Sequence, residues 1–295
     1  MYTILEKRVL AENIYLMRIH APRVARAAKP GQFIIVRIDE FGERVPLTIS
    51  DYDAEQGSVT IVTQAIGAST RKLCALEQGD ALADFVGPLG HPSEFIHEDL
   101  DTLRKKRFLF VAGGVGTAPV YPQVKWLHEH GVKADVIIGA KTKSMLIYTE
   151  EMARVADNLY IATDDGSEGF KGMVTALIKD LIDNRGQAVR RLRGHRSDDY
   201  DEVRDAHDQG VLPADGRIAQ YADGRWYRAC AAPAASRWAA RPSSPVSMAP
   251  NSTGSQVDFD EAMRRQGMYR TQEERARAIE QERENGHKCR VGLDK

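Results

Sequence analysis

Apolar and polar residues alternate along the first third of the chain. The opening stretch "MYTILEKRVLAENIYLMRIHAP" does so, and "GQFIIVRID", "RVPLTISDYD" and "GSVTIVTQAI" repeat the habit in short β-branched runs divided by Gly, Pro and Asp. A period of two sends successive side chains to opposite faces, which is the pattern of a half-buried strand. Short strands spaced this closely predict a small antiparallel β-barrel over residues 1–95.

The period changes after the charged stretch "EFIHEDLDTLRKKR", which reads as a connector. "RFLFVAGG", "ADVIIGAK" and "NLYIATDDG" are continuous apolar runs, as expected of strands buried on both faces. Between them lie the helical patterns "APVYPQVKWLHEHG" and "SMLIYTEEMARVA", and "KGMVTALIKDLIDN" follows. Strand–helix alternation of this kind predicts an α/β domain with a parallel sheet over 105–186.

Composition narrows the possible partners. A net charge of -1 with 28% charged residues carries no bias toward nucleic acid or an anionic membrane. The amino-terminal residues lack the apolar core of a signal peptide, and no run approaches the ~20 apolar residues of a membrane span, so a cytoplasmic protein is expected. Three cysteines, Cys74, Cys230 and Cys289, are too scattered for a disulfide framework.

Four stretches carry candidate chemistry. In "FVAGGVGTAPVYP" a strand runs into Gly113, Gly114, Gly116 and Thr117 and then a helix beginning near Pro119; such glycines let the backbone approach a pyrophosphate at a helix N-terminus. In "GASTRKL", Gly67, Ser69 and Thr70 start a second short helix, where an ordinary N-cap reads the same as an anion site. Arg44, in "ERVPLTIS", could reach a phosphate or stand solvated. Asp164, Asp165 and Gly166 close a parallel strand, where carboxylates can accept ribose hydroxyls or a polar loop can simply turn.

Taken together, "KPGQFIIVR", "RVPLTI", "GASTRKL", "VGPLGHP", "AGGVGTAPVYP", "IIGAKTK" and "DDGSEGFKGMVT" resemble the ferredoxin–NADP reductase superfamily. Within it the chain is similar to the electron-transfer subunits of dihydroorotate and sulfide dehydrogenase type, and most of all to the small subunit of NADH-dependent ferredoxin:NADP oxidoreductase. The resemblance implies FAD held on the barrel by Arg44, Pro46, Leu47 and Thr48, with Gly67, Ser69 and Thr70 at its pyrophosphate. It implies NAD(P)H over Gly113, Gly114, Gly116 and Thr117, with Asp164, Asp165 and Gly166 at the far end. The reaction implied is hydride transfer from the nicotinamide to the flavin, then single-electron passage to a [2Fe-2S] cluster, with no catalytic side-chain acid or base. The implied partners are a larger flavoprotein/iron–sulfur subunit of glutamate synthase small-subunit type and ferredoxin. Relatives often carry Arg where this chain has Val45 and Lys141, which leaves the role of Arg44 and the choice between NADH and NADPH open.

Beyond residue 186 the pattern fails. Residues 187–254 hold 13 large apolar side chains against 10 arginines, too few to bury a strand and a helix. The family would continue with a last strand and a cluster motif, D-G-T-G-M-C-G-A-C-R, followed by a third cysteine. Read one base late, with permitted codons, G-M-C-G-A-C-R and its continuation return residues 229–254 as they stand; the other offset returns 198–209 from M-I-M-M-K-F-V-T-L-T-T-K. A disordered linker is the plainer reading. The sharper one is a frame disruption near Gly186, with further shifts before Ala229 and restoration near Ser255. Either way Ala231, Ala234 and Val246 stand where cluster cysteines would be, no metal ligands are expected, and 187–255 should be irregular, without the last strand of the nucleotide domain; a damaged, relay-incompetent FAD- or partner-binding product is then the alternative to a working electron-transfer subunit. Residues 256–295 form a tail whose part "QVDFDEAMRRQGMYRTQEERARAIEQER" is patterned as a helix, either solvated or docked on a partner subunit.

Overall fold

The computed structural model describes residues 2–106, 108–184, 220–221, 275 and 278. The first lobe contains strands β1 (Tyr2–Ala11), β2 (Ile14–His20), β3 (Phe33–Arg37), β4 (Val45–Asp53), β5 (Ser58–Gln64), β6 (Ala81–Leu82) and β7 (Asp84–Leu89). Two short helices accompany them, α1 (Pro22–Ala27) after β2 and α2 (Ala68–Ala75) after β5. All pairings are antiparallel, in the order β6-β1-β2-β5-β4-β3-β7.

The two edge strands of this sheet, β6 and β7, are consecutive in the chain and separated by Ala83 alone, whose N–H donates to the Arg37 carbonyl at 3.0 Å. Tyr2 from β1 meets Phe85 from β7 ring to ring at 5.6 Å. The sheet therefore curls almost into a closed barrel, as its alternation predicts. Ile4, Met17, Ile34, Ile49, Ile61 and Phe85 fill the interior, each burial contributing roughly 1.5–3 kcal/mol. β6 is too short, and β7 is interrupted by Gly87 and Pro88, so neither stands out in the apolar pattern. Helix α1 was not foreseen either; Pro22 at its first turn fits a helix start.

The second lobe runs through α3 (Leu100–Lys105), β8 (Phe108–Gly113), α4 (Thr117–Glu129), β9 (Ala134–Ala140), α5 (Thr149–Val155), β10 (Asn158–Thr163), β11 (Phe170–Lys171), α6 (Val174–Asn184) and β12 (Gln220–Tyr221). Its strands are all parallel, in the order β11-β10-β9-β8-β12. Phe108, Phe110 and Ala112 face the layer holding α4, whose Val120, Val124 and Leu127 are fully buried at helical spacing. Leu109 and Val111 face the other way, against Leu177, Ile178 and Leu181 of α6. Covering both faces explains the continuous apolar runs.

Three expectations change. The supposed connector is partly core: Phe95 and Leu103 are buried with the α4 layer, behind their charged neighbours. The helix read over "SMLIYTEEMARVA" begins only at Thr149, because Ile147 and Tyr148 turn inward between the lobes and Tyr148 takes a left-handed φ of 60°. Gln220 and Tyr221, inside the stretch expected to be irregular, form a strand beside Val111 and Ala112 of β8. The rest of that stretch, with Ala231, Ala234 and Val246, lies outside the described residues. Of the tail only Arg275 and Ala278 are described, and both are helical.

The lobes share an apolar contact. Ile14, Leu16 and Val62 of the barrel pack with Val115, Ala118, Ile147 and Tyr148. Lys125 reaches Asp51 across this boundary at 2.7 Å, and the Ser93 hydroxyl donates to the Gln123 amide oxygen at 2.9 Å.

Candidate functional site

Strand order fixes where a ligand can sit on the second lobe. From β8 the chain crosses by α4 to β9 on one side, whereas β12 lies on the other side after α6. The carboxyl end of β8 is thus the point where the sheet's winding reverses, and open α/β sheets bind ligands in the crevice there. Gly113 ends β8, Gly114 turns with φ 52°, and Gly116 leads directly into α4. The turn also packs against β5 of the barrel, so it opens toward the junction of the lobes.

Thr117, the first residue of α4, is 0% exposed, and its Oγ1 is buried without a hydrogen bond among the described residues. Burying a hydroxyl in this way costs on the order of 1–3 kcal/mol. At the head of this 13-residue helix the Thr117 amide donates to the Gly114 carbonyl and Pro119 has no N–H, so the hydroxyl and the backbone of the preceding glycine turn are what the position offers a polar or anionic ligand group.

The barrel's two candidate stretches are linked by a hydrogen bond between Ser69 and Glu43. Gly67 precedes α2, and a side chain there would meet open space. The Thr70 hydroxyl accepts from the Ile66 and Gly67 amides at 3.1 and 3.0 Å, which fixes the turn. Ser69 donates to the Glu43 carboxylate, tying this helix start to the beginning of β4. Arg44 is mostly exposed and lies 3.6 Å from Asp84, which Arg37 holds at 2.6 Å. Pro46 pairs with Ile35 and Thr48 with Phe33, while Leu47 belongs to the barrel core and presents backbone rather than side chain to any ligand.

The fourth stretch divides. Asp164 is exposed at the end of β10, and its N–H reaches the Ala140 carbonyl at 3.1 Å. Asp165 instead serves its own loop, accepting from the Ser167 hydroxyl at 2.6 Å and the Ser167 amide at 2.9 Å. Those two bonds hold its carboxyl below the ordinary carboxylate range. Gly166 turns the loop with φ 79°. Gly113, Gly139 and Ala162 stand in register across β8, β9 and β10, so the Gly turn and Asp164 sit about 10 Å apart along one sheet edge.

No family model matches the chain. The electron transfer subunit of dihydroorotate dehydrogenase B (NAD(+)) from Geobacillus kaustophilus is 35% identical over 182 residues, which are 60% of this chain and 68% of the relative. The chain belongs to that family. An electron transfer subunit homolog from Thermotoga maritima is 41% identical over 182 residues, and the chain spans 62% of that relative's length. Among solved structures, a chain of NADH-dependent reduced ferredoxin-NADP oxidoreductase, described for flavin-based electron bifurcation, matches with a TM-score of 0.72 and 29% identity over 95% of this chain and 97% of its own.

At the lobe junction the molecule also shows residues that its motifs do not mark. Tyr121 and Tyr148 pack with ring centroids 5.1 Å apart. Burial, with Asp51 and Glu151 nearby, pushes the Tyr148 hydroxyl far up its scale. Burial works against the charge on Lys125, but its hydrogen bond to Asp51 prevails and raises its pKa. Glu43 was likewise missed, since a glutamate at a strand start gives no sign that a distant Ser69 will reach it. Among the described residues no three of His, Cys, Asp or Glu converge as metal ligands would.

Proposed function

We propose that the chain is an electron-transfer flavoprotein subunit that passes electrons between NAD(P)H and FAD. The observation that carries this reading is the fully buried, unpartnered Thr117 hydroxyl at the head of α4, beside a glycine turn at the reversal point of the sheet. Gly113, Gly114, Gly116 and Thr117 would hold the nicotinamide cofactor, with Asp164 accepting from a ribose hydroxyl. Asp165 and Gly166 would shape the loop that presents Asp164. On the barrel, Gly67, Ser69 and Thr70 would hold the FAD pyrophosphate, Arg44 would neutralise it, and the backbone of Pro46, Leu47 and Thr48 would flank the ring.

FAD, when bound, accepts the equivalent of a hydride from the nicotinamide and can release its electrons singly. The chain's part is placement. The α2 start and the glycine turn ahead of α4 would offer backbone amides to phosphate, and the apolar wall of Leu16, Val62 and Val115 would exclude water between the lobes. The packed boundary also fixes the distance between the two cofactor sites. No side chain need transfer a proton.

The partner would be a larger flavoprotein subunit of glutamate synthase small-subunit type, as the resemblance implies, with ferredoxin as a further electron carrier, which the match to the ferredoxin-NADP oxidoreductase chain supports. A dihydroorotate dehydrogenase partner is the second reading, favoured by the Thermotoga and Geobacillus relatives, and a sulfide dehydrogenase partner follows from the resemblance alone. Among the described residues no helix is long and apolar enough to cross a membrane. The test is to add FAD to purified protein, remove the excess, and add NADH or NADPH without oxygen. Retained flavin that bleaches on addition supports the proposal; protein that retains no flavin overturns it.

A further inference from the structure

The resemblance implies a [2Fe-2S] cluster, and the residues present do not fit one. A cluster of this kind is held by closely spaced cysteine thiolates, three of them in the string that the resemblance implies. These 295 residues contain three cysteines. One of them, Cys74, is on α2 with its side chain buried in the barrel wall, where its thiol donates to the Thr63 carbonyl at 3.8 Å. Burial pushes that thiol up to about 11, away from the thiolate that iron requires. Two cysteines remain, Cys230 and Cys289, 59 positions apart (289 less 230). Where the family-like string would set its ligands, the chain has Ala231, Ala234 and Val246, whose side chains offer iron no donor.

We infer that this chain works without a cluster of its own, taking electrons from NAD(P)H as a pair and delivering them directly from the flavin to an acceptor that reaches the flavin itself. This rests on the flavoprotein reading above and narrows its acceptor to a class: small diffusible oxidants such as quinones or ferric complexes, or a redox group on a partner that approaches the flavin edge. With ferricyanide the balance is NAD(P)H plus two ferricyanide ions giving NAD(P)+, one proton and two ferrocyanide ions. The nicotinamide is oxidised by two electrons and each iron centre gains one.

The experiment uses the full chain, loaded with FAD and then incubated anaerobically with ferrous iron, sulfide and dithiothreitol before desalting. Iron and acid-labile sulfide are assayed per chain, and the product is titrated with dithionite. The expected result is below about 0.1 iron per chain, no cluster resonance in the reduced sample, and an end point near two electrons per flavin. Iron and sulfide at one or more per chain, or an end point near three electrons, would overturn the inference. One iron per chain would mean that two copies share a cluster, which overturns it equally. Flavin is measured on the same sample: its absence condemns the flavoprotein reading, while flavin accompanied by iron condemns only this one.

Discussion

Replacing Thr117 by Val separates folding from ligand binding at the head of α4. The substitution keeps the branched shape and removes a hydroxyl that is fully buried and has no hydrogen bond among the described residues. Relief of that desolvation cost should stabilise the cofactor-free protein by about 1–2 kcal/mol. For a folded region of this size such a gain raises the melting temperature by roughly 2–8 °C. If the hydroxyl meets the nicotinamide cofactor, its loss should weaken binding by about 0.5–1.5 kcal/mol, a rise of roughly 2- to 12-fold in KM. Stability and affinity thus move in opposite directions. Thr117→Ser provides the control, since it keeps the hydroxyl and removes a methyl group; it should lower stability and leave KM near its original value. The assays are urea unfolding without nicotinamide and steady-state ferricyanide reduction at varied NADH. A Thr117→Val protein that is less stable than the parent and binds NADH as well would refute the argument, because the hydroxyl would then have a partner in the fold and none in the ligand.

Glu43→Gln should tighten FAD binding, because the carboxylate that Ser69 now engages would lie close to a pyrophosphate seated there. A like charge at ~4 Å costs about 1 kcal/mol in water, so flavin titration should show roughly a five-fold lower Kd, and an unchanged or higher Kd counts against this seat. Gly139→Ala places a methyl group 2.2 Å from Val174 Cγ1, forcing α6 off the sheet. A loss of about 1–3 kcal/mol is expected, and Val174→Ala in the same chain should recover part of it. Asp165→Asn should lower stability at neutral pH, since the Ser167 bonds hold the folded carboxyl below its unfolded value of 3.8. That contribution is present above this value and is lost as pH falls through the folded pKa, so parent and variant should converge below it. A difference that persists in strong acid would show another cause.

The barrel and the parallel sheet could be read from apolar spacing because burial acts on the side chains that spacing reports. Ile61 and Val62, neighbours in β5, show the limit of that signal: one fills the barrel and the other faces the second lobe, and both are simply apolar in the sequence. Tyr148 marks another limit, since only the packing between lobes draws it inward and ends the helical pattern of the residues before Thr149. Phe95 and Leu103 were concealed by charged neighbours that point to solvent. At the candidate site the glycine turns were legible because backbone conformation demands that residue type at Gly114 and Gly166. The division of labour between Asp164 and Asp165 was not, since two adjacent carboxylates look alike until Ser167 engages one of them.

The apolar seam joining barrel and sheet has a consequence for anyone who dissects this protein. Severed near residue 100, each half would present a greasy flank to solvent: Ile14, Leu16 and Val62 on one, Val115, Ala118 and Ile147 on the other. Separately expressed halves should clump, yet find each other when produced in the same cell. A split version would therefore reassemble without an added tether, its two pieces glued by these matching apolar flanks.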